Sequence, residues 1–453
     1  PDFILPPNEG TSGYFLTTDG SGNTSWAAAG GGVSSDAQDN VVGGDNAGNA
    51  LTSSGEKNTF FGQDAGANTT SGDENVGIGR HAGSGNTTGS GNIAIGNAAA
   101  SSFSGAFTGS HNIAIGGLAV YSGGFYNVHI GYQAGSPNTS SGVENNTSVG
   151  RETLTSMSGT CTRNCAFGFK AGKAITTGDH NVLIGQSAGL SITTAGSNTC
   201  VGSGAGDAIT TGAENTILGS YCGTALTTGG NNVAIGNGAM NSVTTGNLNV
   251  CIGKNAMESS TTYGTIAIGA YCMKDHTSGI RNTAIGYSCL ERGTQYENNT
   301  AMGYKAGDYI TTGSGNVVLG YMAASNSAST RLTTGGNNIV IGTQADPSGN
   351  TVSNEITLGN TSITRFRIPG LNFTLGDNFY VPSEGKVLTA DSNGEGVWAD
   401  APGPKQGTFY ENNQTLSSNY TVTNGQNAMA AGPITIASGY TVTVGAGETL
   451  TIV

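Results

Sequence analysis

The acidic side chains that could perform general acid–base chemistry recur at one kind of place. Asp73, Glu74, Asp179 and Glu214 each stand one or two residues before an asparagine: Asn75, Asn181 or Asn215. Glycoside cleavage needs two carboxylates flanking one bond, and no stretch of this chain gathers acids with a base. A carboxylate at a turn is ordinarily solvated. No catalytic residue and no cofactor is therefore assigned. Gly83-Ser-Gly85 and Gly202-Ser-Gly-Ala-Gly206 look like fragments of phosphate loops, but no Gly-Lys-Ser/Thr follows them. Cys161 and Cys165, in Cys161-Thr-Arg-Asn-Cys165, are the two cysteines paired by position. A disulfide and two separate thiols both remain open, while zinc would need two more ligands. Cys200, Cys222, Cys251, Cys272 and Cys289 take slots that alanine fills elsewhere, and are expected as small buried groups. Among the histidines, His111 and His180 directly precede an asparagine and are expected in solvent, whereas His129 sits inside an apolar segment.

The elements that must position these residues are repeats. A short apolar segment closes on a glycine at Gly44, Gly62, Gly79, Gly96, Gly116, Gly131, Gly150, Gly168, Gly185, Gly202, Gly219, Gly236, Gly253, Gly269, Gly286, Gly303, Gly320, Gly342 and Gly359. Most of the intervals are 17 residues, as from Asn215-Thr-Ile-Leu-Gly219 to Asn232-Val-Ala-Ile-Gly236. A fixed period of this length predicts a stacked parallel β-solenoid of about 19 coils, each covering its apolar side against its neighbours. Glycine makes up 77 of 453 residues. Its fixed placement implies required backbone geometry rather than a flexible linker.

Alternation along each strand puts the second and fourth residues on one face and the third on the other. The larger pair, such as Val182 and Ile184 or Val233 and Ile235, is expected to fill the coil. The third is commonly alanine (Ala94, Ala114, Ala234), sometimes Leu183, Ile217 or Val340. An apolar residue pointing outward implies a cover, and further copies of the chain are the simplest one. A second short strand is expected at Ile175-Thr-Thr-Gly178 and its equivalents. The strand asparagines are expected to form a ladder from coil to coil. At a rise of ~4.8 Å per coil the stack would extend on the order of 90 Å.

Four intervals depart most from the period: Gly96 to Gly116, Gly116 to Gly131, Gly131 to Gly150 and Gly320 to Gly342. Inserted residues in solenoids form loops on one face, often the binding face. Phe103, Phe107, Tyr121, Phe125 and Tyr126 cluster in these loops and could meet a receptor, since aromatic faces suit sugar rings. Net charge is −13, which argues against nucleic acid as a partner. No run of ~18 apolar residues predicts a membrane-spanning helix. The chain opens at Pro1 without a signal-like stretch, as a processed product or a fragment would.

The Asn-x-Ala-Ile-Gly-x-x-Ala-Gly unit resembles the head repeat of trimeric autotransporter adhesins, although those heads repeat at a shorter period. The resemblance covers residues 38–360 and implies a left-handed parallel β-roll assembled as a homotrimer. The flanks resemble bacteriophage tail-fibre proteins instead. Gly13-Tyr-Phe-Leu-Thr-Thr-Asp-Gly-Ser-Gly-Asn-Thr-Ser-Trp26 recurs as Gly385-Lys-Val-Leu-Thr-Ala-Asp-Ser-Asn-Gly-Glu-Gly-Val-Trp398, each reading as a β-hairpin. The combination implies an all-β fibre in four parts. These are an N-terminal connector β module (1–37), a β-roll shaft (38–362), a β connector or neck (363–405) and a C-terminal β segment (406–453). It further implies a non-enzymatic phage tail fibre that recognises the bacterial cell surface. Expected partners are sister chains, virion tail or baseplate proteins, and a bacterial surface glycan or protein. The expected location is the virion tail, assembled in the host cytoplasm. A bacterial trimeric surface adhesin is the alternative, and a glycan depolymerase tailspike a more distant one. In such a trimer His129, at the third strand position, would face its sister copies, and three rings could hold a metal or anion.

Overall fold

Strands of three residues cannot stand alone, so each must bond to the strand one coil away. The computed structural model describes residues 14–18, 24–28, 34–101, 107–120, 124–135, 142–258, 263–364, 386–390, 396–400, 415–422 and 425–453. Among these residues every regular element is a β-strand. The chain divides into two units, Pro1–Thr364 and Arg365–Val453.

In the first unit, nineteen strands run from Val41–Gly43 to Ile356–Leu358, and each pairs in parallel with the next. The register follows the sequence period: Val233 pairs with Val250, Ala234 with Cys251 and Ile235 with Ile252. This is a parallel β-solenoid with a period of about 17 residues. At its first edge Ser34–Ser35 lies antiparallel on Val41–Gly43, covering one otherwise open row of backbone groups.

The two faces of each strand are the reverse of the expectation. The third residue points in: Ala94, Ala114, Leu183, Ile217, Ala234 and Val340 are all buried within one chain. The second and fourth residues point out, and Ile184 and Leu218 remain 41% and 43% exposed. The reason is volume. The interior is already occupied by Ala or Cys three residues after the closing glycine, by an aliphatic residue at the following bend, and by the asparagine ladder. Only a narrow slot remains for the strand's inward residue.

That slot is filled by compensation, in some coils within the coil and in others from a neighbour: Gly172, in the coil of Ala166, faces Leu154 and Leu183 of the adjoining coils. Leu183 is inward where Gly189 follows, and a Cβ on Gly189 would lie 2.7 Å from Leu183 Cδ2. Where alanine is inward, as at Ala234 and Ala284, the equivalent of Gly189 is Met240 or Leu290. Phe60 takes the room left by Gly77 in the next coil, where a Cβ would meet its ring at 2.9 Å. Tyr296 enters the core because Gly293 has no side chain, and its hydroxyl donates to Leu290 O at 2.8 Å. Cys200, Cys222, Cys251, Cys272 and Cys289 are buried thiols, as their alanine-like slots implied.

The asparagine ladder forms as expected. Asn215 donates its backbone N–H and its Nδ2 to Asn198 Oδ1, both at 3.1 Å, and a second Nδ2 hydrogen to Gly229 O at 3.0 Å. Asn232 repeats these bonds on Asn215. One rung differs. Thr265 still donates its N–H to Asn249 Oδ1, but its buried hydroxyl has no hydrogen-bond partner.

The Ile-Thr-Thr-Gly segments are bends rather than a second strand. Thr193 O accepts from the N–H groups of Thr176, Thr177 and Gly178 and from Thr176 Oγ1, at 2.9–3.3 Å. One carbonyl gathering several donors tightens the corner and breaks the even ladder a strand needs. The 22-residue interval loops out without disturbing pairing, because Val317 still pairs with Ile339. Asp346 holds that loop by accepting from the N–H groups of Asn326 and Ser327 at 3.0 and 2.7 Å.

Tyr14–Thr18 pairs antiparallel with Thr24–Ala28, and Lys386–Ala390 with Gly396–Asp400. Leu16 stands opposite Trp26 and Leu388 opposite Trp398, the same register twice. In the second unit the C-terminal strands are also parallel. Thr415–Leu416 pairs with Thr435–Ile436, Tyr420–Thr421 with Val442–Thr443, and Ala428–Ala430 with Leu450–Ile452. These are two stacked coils of three short strands each, with Asn419 and Asn427 accepting from Thr441 and Thr449 across the stack.

Candidate interaction face

The outward side of the strands is where the first unit presents its chemistry. Alternation places the second and fourth strand residues on that side, and the residue before each asparagine and the residue after each closing glycine flank them along the chain. The central two form an apolar strip: Val182 and Ile184, Val233 and Ile235, Ile339 and Ile341. Ile78, Phe167, Met302, Ile356 and Leu358 on this strip are among the exposed large hydrophobic residues. Threonine takes the second place in six of the nineteen coils, as at Thr199 and Thr216, so the strip is one to two residues wide and its footprint at most on the order of 700 Å², at the upper end of what isolated soluble chains leave open.

Two polar files border it. The residue before each ladder asparagine is left-handed in backbone and, Gly91 apart, exposed, with φ of 58° at Glu74, 56° at Arg163 and 58° at Arg281. The residue after each closing glycine is also outward: Arg80, Arg151, Lys254, Tyr287, Tyr304 and Tyr321. The last three tyrosines stack, with ring centroids 5.4 and 5.3 Å apart and interplanar angles of 9° and 11°. Their faces cover one another, so this row offers edges and hydroxyls, not a platform for sugar rings.

One charged cluster lies beside the strip. Glu152 meets Arg151 at 2.7 Å, Lys173 at 2.8 Å and Lys170 at 3.9 Å. The Lys173 hydrogen bond holds its carboxyl below the usual glutamate range, with further help from the charges on Lys173, Arg151 and Lys170. Phe169 lies between Arg151 and Lys170, whose charged ends are 5.4 and 4.8 Å from its ring centre.

The residues singled out from sequence are scattered among different environments. Phe107 is 3% exposed and belongs to the core, so it is withdrawn as a receptor contact. Phe103 and Tyr121 lie outside the described residues. Phe125 is half-buried, and Tyr126 is 58% exposed with its ring stacked on His111 at 5.2 Å. His129 is 1% exposed and faces the inside of its own coil, where its Nδ1 and Ser148 Oγ are 2.7 Å apart. The inverted strand faces remove it from any contact between copies, and with it the axial metal site. Among the described residues no three metal-ligating side chains cluster.

Cys161 and Cys165 are both free thiols. Cys161 is inside, hydrogen-bonded to Gly178 O and Asn164 Nδ2, with its thiol pushed up to about 12 by burial. Cys165 opens the outward-facing strand Cys165–Phe167. The turn acids are singly engaged: Asp73 accepts from Glu56 N at 2.9 Å, Asp179 pairs with His180 at 3.4 Å, and Glu74 and Glu214 are exposed. Sequence reasoning missed the apolar strip and the tyrosine row. Both were marked by constant offset from the closing glycine.

In comparisons with known proteins, the chain matched no family model, no curated protein and no solved structure.

Proposed function

We propose that this chain is the shaft of a homotrimeric surface-binding fibre, a phage tail fibre that adsorbs to the bacterial cell surface. The observation that carries the reading is the apolar strip on the outward strand face, continuous from Val41–Gly43 to Ile356–Leu358. In water it would cost about 25 cal/mol per Å² left uncovered. Three copies packed around a common axis cover it and leave the other surfaces of each coil to solvent. The resemblance of the repeat to left-handed adhesin rolls and of the flanks to phage fibre connectors supports both the threefold assembly and the setting. A stack of identical rungs supplies reach. Three copies supply avidity, in which weak contacts to a surface glycan or protein multiply.

Contact residues for a receptor are best sought on the C-terminal coils, where Tyr420, Met429 and Tyr440 are exposed, because Tyr126 directly precedes Asn127 and so borders the covered strip. Antibody raised against the purified chain and visualised with gold on whole phage particles tests the setting. Labelling of rods on the tail is the expected result. Labelling of a bacterial outer surface, with a coiled-coil stalk and membrane anchor in the same reading frame, would replace this reading with the adhesin. Shortened products from host capsule or lipopolysaccharide after incubation with the protein would replace it with a depolymerase.

A further inference from the structure

A hollow on the first unit lies off the strand face, and from it we propose that the shaft binds an anionic sugar residue of the bacterial surface, held between Lys173 and a floor made by Leu118 and Val120. The inference rests on the surface-binding reading above and adds a charged contact on the shaft to those on the C-terminal coils. The hollow has a volume of about 350 Å³, within the range that small ligands occupy. Leu118, Val120 and the bare backbone of Gly135 give it an apolar floor, and Gln133, Glu152 and Lys173 a polar wall. None of these residues belongs to a strand, so packing of the apolar strips leaves the hollow open.

Charge decides the ligand class. Arg151, Lys170 and Lys173 surround the single carboxylate of Glu152, at 2.7, 3.9 and 2.8 Å. Three cations around one anion leave positive charge in surplus, in a chain whose net charge is −13. An ammonium group carries three donors. Lys173 spends one on Glu152 Oε2, and Lys170, at 3.9 Å, lies beyond hydrogen-bond reach of it. Glu152 thus orders its cations without using up their donors. Phe169 steadies Lys170, whose Nζ is 4.8 Å from its ring centre. A carboxylate or phosphate accepts from both ammonium groups. The Gln133 amide donates to and accepts from ring hydroxyls, and the C–H face of the sugar rests on Leu118 and Val120. A neutral sugar would leave the surplus charge unanswered.

An array of acidic glycans from bacterial surfaces, printed beside the same glycans after carboxyl reduction or dephosphorylation and probed with the labelled full chain, tests this site. Acidic spots should bind at least about tenfold more strongly than their neutral forms, and less strongly as salt rises to about 0.5 M. Signal lost on carboxyl reduction marks a uronate, and signal lost on dephosphorylation a phosphate. Lys170→Met/Lys173→Met should lose the signal at unchanged sedimented mass, whereas Lys170→Arg/Lys173→Arg should keep it. Leu118→Glu, on the floor, should lose it as well. Equal binding of acidic and neutral forms, or none to either, overturns the proposal. Signal that survives Leu118→Glu also overturns it, since the lysines would then act as general surface charge. An acidic peptide held as tightly as the glycans overturns the sugar. The array needs no particle, so bound acidic spots with unlabelled phage tails remove the setting and leave the site. Labelled tails with silent spots remove the site and leave the setting.

Discussion

At the scale of single residues the fold depends on positions that tolerate one side chain or none. Gly219 has φ of 141°, and a Cβ there would lie 2.6 Å from Gly236 O in the next coil. Backbone on one side and strain on the other leave no room to relax. Gly219→Ala should therefore destabilise the solenoid by more than about 3 kcal/mol, read from denaturant midpoints. Gly264, with φ of 64° and nothing within 4 Å, is the contrast, and its alanine variant should cost only about 1 kcal/mol. The ladder makes the opposite prediction at Thr265, whose buried hydroxyl lacks a partner. Thr265→Asn should restore the rung and raise stability by about 1 kcal/mol. The buried histidines set an acid limit. Burial pushes His129 and His276 down to about 4, from an ordinary 6.5. Between those values the unfolded chain binds more protons, so this contribution is whole above about pH 6.5 and shrinks as pH falls toward 4. Asp308, raised to about 6 by burial, acts in the opposite sense and is common to any His129 comparison. His129→Gln should lose about 2 kcal/mol less than the parent between pH 7 and pH 5, measured by unfolding at each pH.

At the scale of the element, several coils divide one volume between two positions. Cys251 Sγ and Met257 Sδ lie 3.9 Å apart, the same pair of slots that hold Leu183 with Gly189 and Ala234 with Met240. Ala234→Leu should overpack its coil by about 1–3 kcal/mol, and adding Met240→Gly should return most of the loss. This pairing explains what was legible in the sequence and what was not. The period, the closing glycines and the asparagine ladder could be read directly, because each is a backbone requirement that fixes residue type. The direction of the strand was read backwards, because alternation separates two faces without saying which is inside. The missing signal was the reciprocity of Leu183 with Gly189 and Ala234 with Met240, which puts the small strand residue in the same compartment as the coil filler. The C-terminal coils were hidden for a related reason. Tyr420-Thr-Val and Tyr440-Thr-Val repeat at 20 residues, yet Tyr420 pairs with Val442. A shift of two preserves the faces, so the visible repeat misstates the register.

At the scale of the whole molecule, turning the strands over changes which residues would meet sister chains in the proposed assembly but strengthens the reason for them to meet. Alanines on the outside would have left a thin apolar strip, whereas valine, isoleucine, leucine and phenylalanine leave a deep one. Because Leu218 and Ile184 add little to their own coil, charge placed there should spare the solenoid and abolish assembly. Leu218→Lys should keep the parent's far-ultraviolet circular dichroism while sedimenting as a single chain. The receptor candidates divide along the same line: Phe107 serves the core, and Tyr126, stacked on His111, lies in the file that borders the strip. Sedimentation equilibrium of the purified chain addresses the covered strip most directly. Packing of three strips predicts a mass three times 45.2 kDa that persists on dilution. A stable, soluble species of 45.2 kDa, with Ile184 and Leu218 open to solvent, would contradict it.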